Sequence, residues 1–132
     1  RKNEPWMIAV ETPDLESFGN NTISWKLPLE SKAMATSGDY RNYYEIDGIR
    51  YSHEIDPRTG YPAKTGIASA TVVASNCMDA DALATALIIM GVESGLQFIE
   101  KLDGVEAFLI VREGNDNNYR TIKSSGMKIS TL

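Results

Sequence analysis

The sequence predicts one α+β domain. Two helical stretches follow each other in the middle of the chain, and stretches typical of β-strands lie on both sides of them. A chain of 132 residues is long enough to bury one hydrophobic core. Its hydrophobic share of 42% and charged share of 23% are typical of globular proteins.

The chain before residue 52 is predicted to contain two strands and a hairpin. Residues 6–10 are an apolar strand candidate, and residues 11–14 end it because Pro13 and Asp14 favour a turn. Residues 43–51 place Asp47-Gly48 between two β-favouring runs, which is the signal for a type I′ hairpin turn. Residues 22–29 alternate, so four apolar side chains share one face of a strand: Ile23, Trp25, Leu27 and Leu29.

After residue 65 the pattern predicts a strand, two helices and a second hairpin. The expected elements are a strand at 66–75, helices at 78–90 and about 93–102, and strands at 105–112 and 119–123. Gly91 and Asp103-Gly104 are expected to end the two helices, because glycine is common just past helix ends. Residues 113–118 are expected to form the polar turn of the hairpin.

Composition excludes several classes of protein. The 13 Lys and Arg residues form no cluster and are outnumbered by 18 Asp and Glu, so no nucleic-acid partner is expected. The single cysteine, Cys77, excludes an intramolecular disulfide and a Cys-rich zinc site. The longest apolar run, residues 82–92, is shorter than the roughly 18 residues of a membrane span. Residues 1–5 contain no initiator Met and no apolar signal segment, so we expect a processed or cut chain.

The stretch YSHEIDPRTGYPA, residues 51–63, contains His53, the only histidine. His53 stands where a strand-like run ends and a turn begins, a position from which side chains often enter clefts. A lone histidine is also commonly a hydrogen-bonded structural residue, and the chain has too few His and Cys residues for a zinc site. No Gly-x-Ser-x-Gly turn supports a Ser-His-Asp triad. The residue types alone therefore leave the role of His53 open.

The residues after His53 are typical of a turn. Asp56 has a side chain suited to accept hydrogen bonds from the following amides, Pro57 fixes its own φ, and Gly60 permits a positive φ. We therefore expect Asp56 and Gly60 to be structural turn residues.

The predicted helix at 78–90 carries polar side chains in an apolar run. Past its first turn nearly every position is apolar, so we expect it to be enclosed on all sides, with a buried hydroxyl at Thr85. Asp81 and Thr85 are four residues apart and share one face. A carboxylate entering apolar surroundings is costly unless it is paired, and no Lys or Arg lies within a turn of Asp81. Mg²⁺, which prefers one or two carboxylates with water and phosphate oxygens, would remove that cost.

The same spacing also fits a structural role. Asp79, nearest the helix start, is assigned to capping. Asp81 would then interact with the helix dipole, and Thr85 would hydrogen-bond to the carbonyl of Asp81. Spacing alone leaves both interpretations open.

Three ordered motifs together resemble the ApbE family of flavin transferases. They are TSGDY at residues 36–40, HEIDPRTG at 53–60 and, about twenty residues later, DADALATAL at 79–87. The three motifs in this order are far more specific than any one of them. The resemblance implies a fold related to the T-fold, with mostly antiparallel strands and two central helices.

The resemblance implies an enzyme that uses Mg²⁺ and takes FAD as the donor of FMN. Members attach FMN through a phosphoester bond to a Ser or Thr of a target protein and release AMP, so FAD and an acceptor flavoprotein are the implied partners. Some members instead hydrolyse FAD to FMN and AMP, which is an alternative expectation. A further alternative is a non-catalytic chain that binds flavin or forms a homodimer through strand edges without partners.

The resemblance also implies which residues form the site. Asp81 and Thr85 would be Mg²⁺ ligands, and the ion would neutralise charge that develops as the bond to AMP breaks. Ile55, through its backbone, and His53 would line the FAD site, and His53 is the candidate catalytic residue. Ser37 and Gly38 would lie near the same pocket.

The chain departs from the family pattern in two respects. It resembles only the C-terminal half of the catalytic domain, so we expect residues 1–132 to be the C-terminal portion of a domain whose N-terminal half supplies further flavin and magnesium contacts. Glu54 stands where the family commonly has an apolar residue, and strand alternation allows it to face water. Many bacterial members are exported lipoproteins, which implies a lipid-anchored parent protein at the periplasmic face of the inner membrane.

Overall fold

The computed structural model describes residues 4–13, 23–39, 43–47, 49–114 and 118–132. In these ranges the elements are β1 (Trp6–Glu11), β2 (Ile23–Leu29), β3 (Ala33–Gly38), β4 (Tyr43–Ile46), β5 (Ile49–Ser52), β6 (Ile55–Asp56), β7 (Tyr61–Pro62), β8 (Ile67–Ala74), α1 (Cys77–Met90), α2 (Val92–Ile99), β9 (Glu106–Arg112), β10 (Tyr119–Lys123) and β11 (Ser130–Thr131). All strand pairs are antiparallel. The predicted α+β class is confirmed.

The central layer is a four-stranded sheet with the order β10-β9-β8-β3. The helices cover one face, where Val72 and Leu109 belong to the same core cluster as Leu87 of α1. The sheet β1-β2-β11 covers the other face, where Leu27 packs in one cluster with Phe108. Because β8 has neighbours at both edges and on both faces, all eight of its residues are buried.

Most of the predicted elements are present, with ends shifted by a few residues. Asp47 has a φ of 52°, the left-handed conformation that a type I′ turn requires. The sequence pattern did not predict β3, whose small residues have little strand propensity and which is held by its pairing with β8. It also missed β6, β7 and β11, which have two residues each and are too short to show alternation. Several predicted positions lie outside the described residues: Asp14, Thr22, Tyr40, Gly48 and 115–117.

The ends of α1 are defined by Asn76 and Gly91. Asn76, rather than Asp79, is the N-cap: its Oδ1 accepts a hydrogen bond from the Asp79 amide at 2.9 Å. Asp79 supports the cap, because its Oδ2 accepts from Asn76 Nδ2 at 2.7 Å. Gly91 ends α1 and begins α2 with a φ of 83°, which disfavours any residue with a Cβ. Neither helix in the described ranges is long and apolar enough to cross a membrane.

The prediction that helix α1 is enclosed on all sides is wrong. One face of α1, including Ala84 and Leu87, is buried, whereas Asp81 and Ala82 are exposed and Thr85 is half-buried. Several apolar positions of α1 are alanines, and exposing a methyl group costs far less than exposing a large side chain. Asp81 therefore needs no cation to offset burial, and its assignment as a metal ligand depends on spacing and resemblance.

Candidate functional site

A cavity of about 420 Å³ opens where β1, β3, β8, α1 and the segment after β5 meet. Its described lining residues are Ala9, Val10, Glu11, Thr36, Ser37, Gly38, His53, Glu54, Ser69 and Thr85. Each of the three motifs that resemble one family contributes to this lining. Pairing of β3 with β8 and packing of α1 on both strands bring the first and third motifs together.

Most of the predicted site residues line this cavity. Those that do are Ser37, Gly38, His53 and Thr85. The described lining does not include Asp81 or Ile55. Asp81 is exposed on α1 one turn before Thr85, and Ile55 is 49% exposed in β6, where it pairs with Pro62. The cavity therefore brings Ser37, Gly38 and His53 together with Thr85. Thr85 is one of the two predicted metal ligands, and the other, Asp81, lies outside the described lining.

A pair of hydroxyl groups joins β3 to α1 at the cavity wall. Ser37 Oγ and Thr85 Oγ1 are 2.8 Å apart and hydrogen-bonded. The neighbouring Thr36 is bonded in the same way to Thr71 of β8, with 2.9 Å between the hydroxyl oxygens. Both bonds fix β3 in position beside α1 and β8.

The two predicted Mg²⁺ ligands, Asp81 and Thr85, carry oxygen donors of the type that Mg²⁺ prefers. Asp81 offers a carboxylate one helical turn from the Thr85 hydroxyl, and Mg²⁺ commonly takes one or two carboxylates together with waters and phosphate oxygens. The described residues contain no group of three or more His, Cys, Asp or Glu side chains arranged to hold a metal by themselves. Substrate oxygens would therefore complete any coordination sphere built on Asp81.

Glu54 is buried, which corrects the expectation that it faces water. Its side chain is only 4% exposed, its carboxylate accepts a hydrogen bond from Ser52 Oγ, and its Oε2 lies 3.2 Å from His53 Nδ1. Alternation does hold here, since Ser52 and Glu54 are buried while His53 and Ile55 are exposed. Both sets contain a polar residue, so alternation could not show which set points inward.

Two other polar lining residues, Glu11 and Ser69, were also not predicted. Glu11 ends β1 just after an irregularity in its pairing with β2, and such an irregularity changes the direction of the side chains that follow. Ser69 lies within the fully buried β8, where no alternation marks one face. The acidic lining residues are Glu11 and Glu54, and none of the described lining residues is Lys or Arg.

The turn at residues 56–60 is structural, as predicted. The Arg58 amide donates to Asp56 Oδ1 at 2.9 Å, and Gly60 has a φ of 75°. The Arg58 guanidinium also donates to both carboxylate oxygens of Asp56. These side-chain and backbone hydrogen bonds lower the pKa of Asp56, and the side-chain bond raises the pKa of Arg58. Asp56 is therefore engaged within its own turn.

An ion pair fixes the chain directly after Gly38. Arg112 at the end of β9 donates from Nη1 and Nη2 to the two carboxylate oxygens of Asp39, at 2.6 Å each. The side chains of Arg112 and Asp39 are only 21% and 14% exposed. Burial lowers the pKa of Arg112, but the hydrogen bonds and charge of Asp39, with a contribution from Tyr119, raise it by more. The pair ties the cavity end of β3 to β9 across β8.

Removal of one partner of this pair is expected to destabilise the fold. Arg112→Met should lower the free energy of unfolding by about 3 kcal/mol, because it leaves the Asp39 carboxylate largely buried without its counterion. Urea unfolding followed by circular dichroism measures this change. The matched control is Arg120→Met, since Arg120 makes an exposed pair with Glu113 at 3.7 Å and should contribute less than about 1 kcal/mol. Equal losses in the two variants would contradict this role of Arg112.

Comparison with known proteins identifies the family. The family model described as ApbE family matches residues 1–109. The chain belongs to the ApbE family. This confirms the relationship indicated by the three motifs.

Relatives and solved structures of the ApbE family match nearly the whole chain. The FAD:protein FMN transferases of Haemophilus influenzae and Vibrio cholerae are both 41% identical to it, over 96% and 97% of its length. The apo crystal structure of the Pseudomonas stutzeri flavinyl transferase ApbE covers 92% of the chain at 40% identity, with a TM-score of 0.71. The ApbE protein of Thermotoga maritima covers 93% at 32% identity, with a TM-score of 0.74.

The chain corresponds to only a part of these ApbE proteins. It spans 35% and 36% of the length of the two curated relatives, and 35% and 37% of the two crystallised chains. The activity of the complete relatives is therefore carried over to this chain only as a proposal.

Proposed function

We propose that the chain is the C-terminal portion of the catalytic domain of a FAD:protein FMN transferase. The complete enzyme transfers FMN from FAD to a Ser or Thr hydroxyl of an acceptor flavoprotein and releases AMP. The observation that carries this proposal is the 41% identity to relatives of that name over nearly the whole chain. It is supported by the cavity, which collects residues from all three family motifs.

In the proposed reaction, the oxygen of the acceptor hydroxyl attacks the phosphorus of the FMN moiety. A phosphoester bond forms, the pyrophosphate P–O bond breaks, and AMP leaves with the bonding electron pair. The hydroxyl proton passes to a base, for which we propose His53 because it lines the cavity and imidazole is the side chain most often used as a general base. Ser37, Gly38 and the backbone of Ile55 are the proposed flavin contacts of this chain.

Asp81 and Thr85 are the proposed ligands of Mg²⁺. When bound, the ion supplies positive charge to the pyrophosphate as the bond to AMP breaks. This contribution matters here because the cavity has two acidic lining residues and no Lys or Arg among those described, whereas FAD is an anion. The Ser37 hydroxyl, 2.8 Å from Thr85 Oγ1, orients the threonine oxygen.

A transfer assay with the full-length gene product tests the proposal. The protein is incubated with FAD, Mg²⁺ and purified candidate acceptor flavoproteins, and each acceptor is analysed by mass spectrometry while AMP is measured by chromatography. We expect one FMN to be added to a Ser or Thr and one AMP to be released for each. Equal AMP release with and without acceptor, and no flavinylation, would show a FAD pyrophosphatase instead. Absence of both products would contradict any FAD-cleaving activity and favour a flavin-binding or self-associating protein.

A further inference from the structure

Glu54 is an acidic residue of the cavity wall that has no role in the proposed reaction as described above. Its side chain is 4% exposed, and a buried carboxylate is costly unless hydrogen bonds compensate the loss of water. Two neighbours contact the same oxygen, Oε2: the hydroxyl of Ser52 donates a hydrogen bond to it, and Nδ1 of His53 lies 3.2 Å from it. The carboxylate is therefore directed at the ring of the only histidine in the chain.

The backbone around Glu54 holds this carboxylate in place. The Glu54 amide donates to Ser52 Oγ at 3.2 Å, so the same hydroxyl contacts both the backbone and the side chain of Glu54. The carbonyl of Glu54 accepts from the Ala63 amide at 2.9 Å, which fixes the segment to the chain after β7. A carboxylate with so many constraints is a rigid partner for the imidazole.

We propose that Glu54 is a positioning residue for His53, fixing the orientation and tautomer of the ring through Nδ1. This inference rests on the proposed function, because it assigns Glu54 a purpose in the proton transfer proposed for His53. Glu54 itself touches neither FAD nor acceptor in this role. Its effect on the reaction passes entirely through the imidazole.

The chemistry follows from the properties of the two groups. An ionised carboxylate only accepts hydrogen bonds, so the ring must carry a proton on Nδ1 to bond with it. In the neutral ring, Nε2 is then the basic nitrogen and the one that takes the acceptor hydroxyl proton. The negative charge of Glu54 at 3.2 Å also stabilises the positive charge that the ring gains in that step.

The tautomer of His53 is measured by nuclear magnetic resonance. In the full-length gene product labelled with ¹⁵N-histidine, the ring signals of His53 are identified as those that are absent from His53→Ala. Spectra are recorded in alkaline buffer, where an ordinary imidazole is neutral. We expect the Nδ1-protonated form in the unsubstituted protein and a shift of population toward the Nε2-protonated form in Glu54→Leu. Glu54→Gln keeps an acceptor oxygen of the same shape and should retain more of the Nδ1-protonated form. Glu45→Leu, which removes an exposed carboxylate of β4, is the matched control and should leave the spectrum unchanged.

Kinetics of the full-length gene product give the second readout. Glu54→Leu is expected to lower kcat for FMN transfer about 100-fold with little change in KM for FAD, since a displaced ring affects the proton transfer more than binding. Glu54→Gln should recover part of that loss. A melting curve by circular dichroism establishes that each variant is folded.

Different results would contradict the positioning role of Glu54 and the proposed FMN transfer. An identical His53 ring spectrum in the unsubstituted protein and in folded Glu54→Leu would overturn the positioning role, whatever the activity. An Nε2-protonated ring in the unsubstituted protein would overturn it as well. If the spectrum changes as expected but the full-length protein transfers no FMN, the positioning contact stands and the proposed function fails.

Discussion

Replacement of Asp81 by alanine is expected to abolish measurable FMN transfer by the full-length gene product while the fold persists. Transfer should fall more than about 100-fold, since even outer-shell partners of metal ligands typically contribute 10- to 100-fold. The fold should persist because Asp81 is exposed, and substitutions at such positions usually change the free energy of unfolding by no more than about 0.5 kcal/mol. Transfer rates and urea unfolding are measured on the same preparations.

The matched control for this variant is Asp79→Ala, two residues earlier on the same helix. Asp79 is bonded to Asn76 at the helix cap, so its loss should reduce stability by about 0.5–1 kcal/mol and leave transfer intact. Loss of transfer in Asp81→Ala but not in Asp79→Ala, with loss of stability only in Asp79→Ala, would be difficult to explain by helix stability alone. Unchanged transfer in Asp81→Ala would show that Asp81 is not a metal ligand.

A binding readout separates the metal from the rest of the reaction. FAD fluorescence is titrated with the full-length gene product in Mg²⁺ and in EDTA. We expect Mg²⁺ to strengthen FAD binding to the unsubstituted protein and to have a much smaller effect on Asp81→Ala. Thr85→Val keeps the volume of the side chain and removes the hydroxyl bonded to Ser37, so it should show the same change to a lesser degree. An equal Mg²⁺ effect in all three proteins would place the ion elsewhere.

The fold could be predicted where a local sequence signal marked an element. The alternation of β2, the turn signal at Asp47-Gly48 and the long apolar run of α1 each indicated the correct element. β3 could not be predicted because its stability comes from pairing with β8 and packing against α1, contacts that its own small residues do not encode. The exposure of Asp81 was missed for a related reason: a helical pattern shows which residues share a face, but the neighbouring elements decide whether that face is covered.

The residues that line the cavity were indicated mainly by the motifs, while helical spacing alone singled out Thr85 together with Asp81. Motif resemblance indicated Ser37, Gly38, His53 and Thr85, which the fold brings to one cavity. It did not indicate Glu54, because the family pattern is apolar there and strand alternation is compatible with either face. The pattern of polar residues at the junction of two short strands does not mark which face is buried, and the local hydrogen bond from the Ser52 hydroxyl to the Glu54 carboxylate became visible only in the structure.

His53→Ala is expected to lower kcat for FMN transfer about 10²- to 10⁴-fold in the full-length gene product, which is the usual contribution of a general base. The acceptor hydroxyl is a poor nucleophile while it keeps its proton, and the proposed reaction offers that proton to the imidazole. FAD binding should weaken much less than kcat falls, since the proposed flavin contacts also include Ser37, Gly38 and the backbone of Ile55. Tyr44→Ala, which truncates a side chain that is 70% exposed, is the control and should transfer FMN at the unsubstituted rate.

Chemical rescue distinguishes the loss of a base from the loss of a binding contact. The side chain of His53 is 42% exposed, so its removal leaves a space that small molecules in solution can enter. Free imidazole added to His53→Ala should therefore restore part of the transfer rate, with a dependence on pH that follows the fraction of neutral imidazole. A loss of kcat that imidazole does not restore, accompanied by an equal loss of FAD affinity, would assign His53 to flavin binding and leave the base to be supplied by the acceptor or by another part of the enzyme.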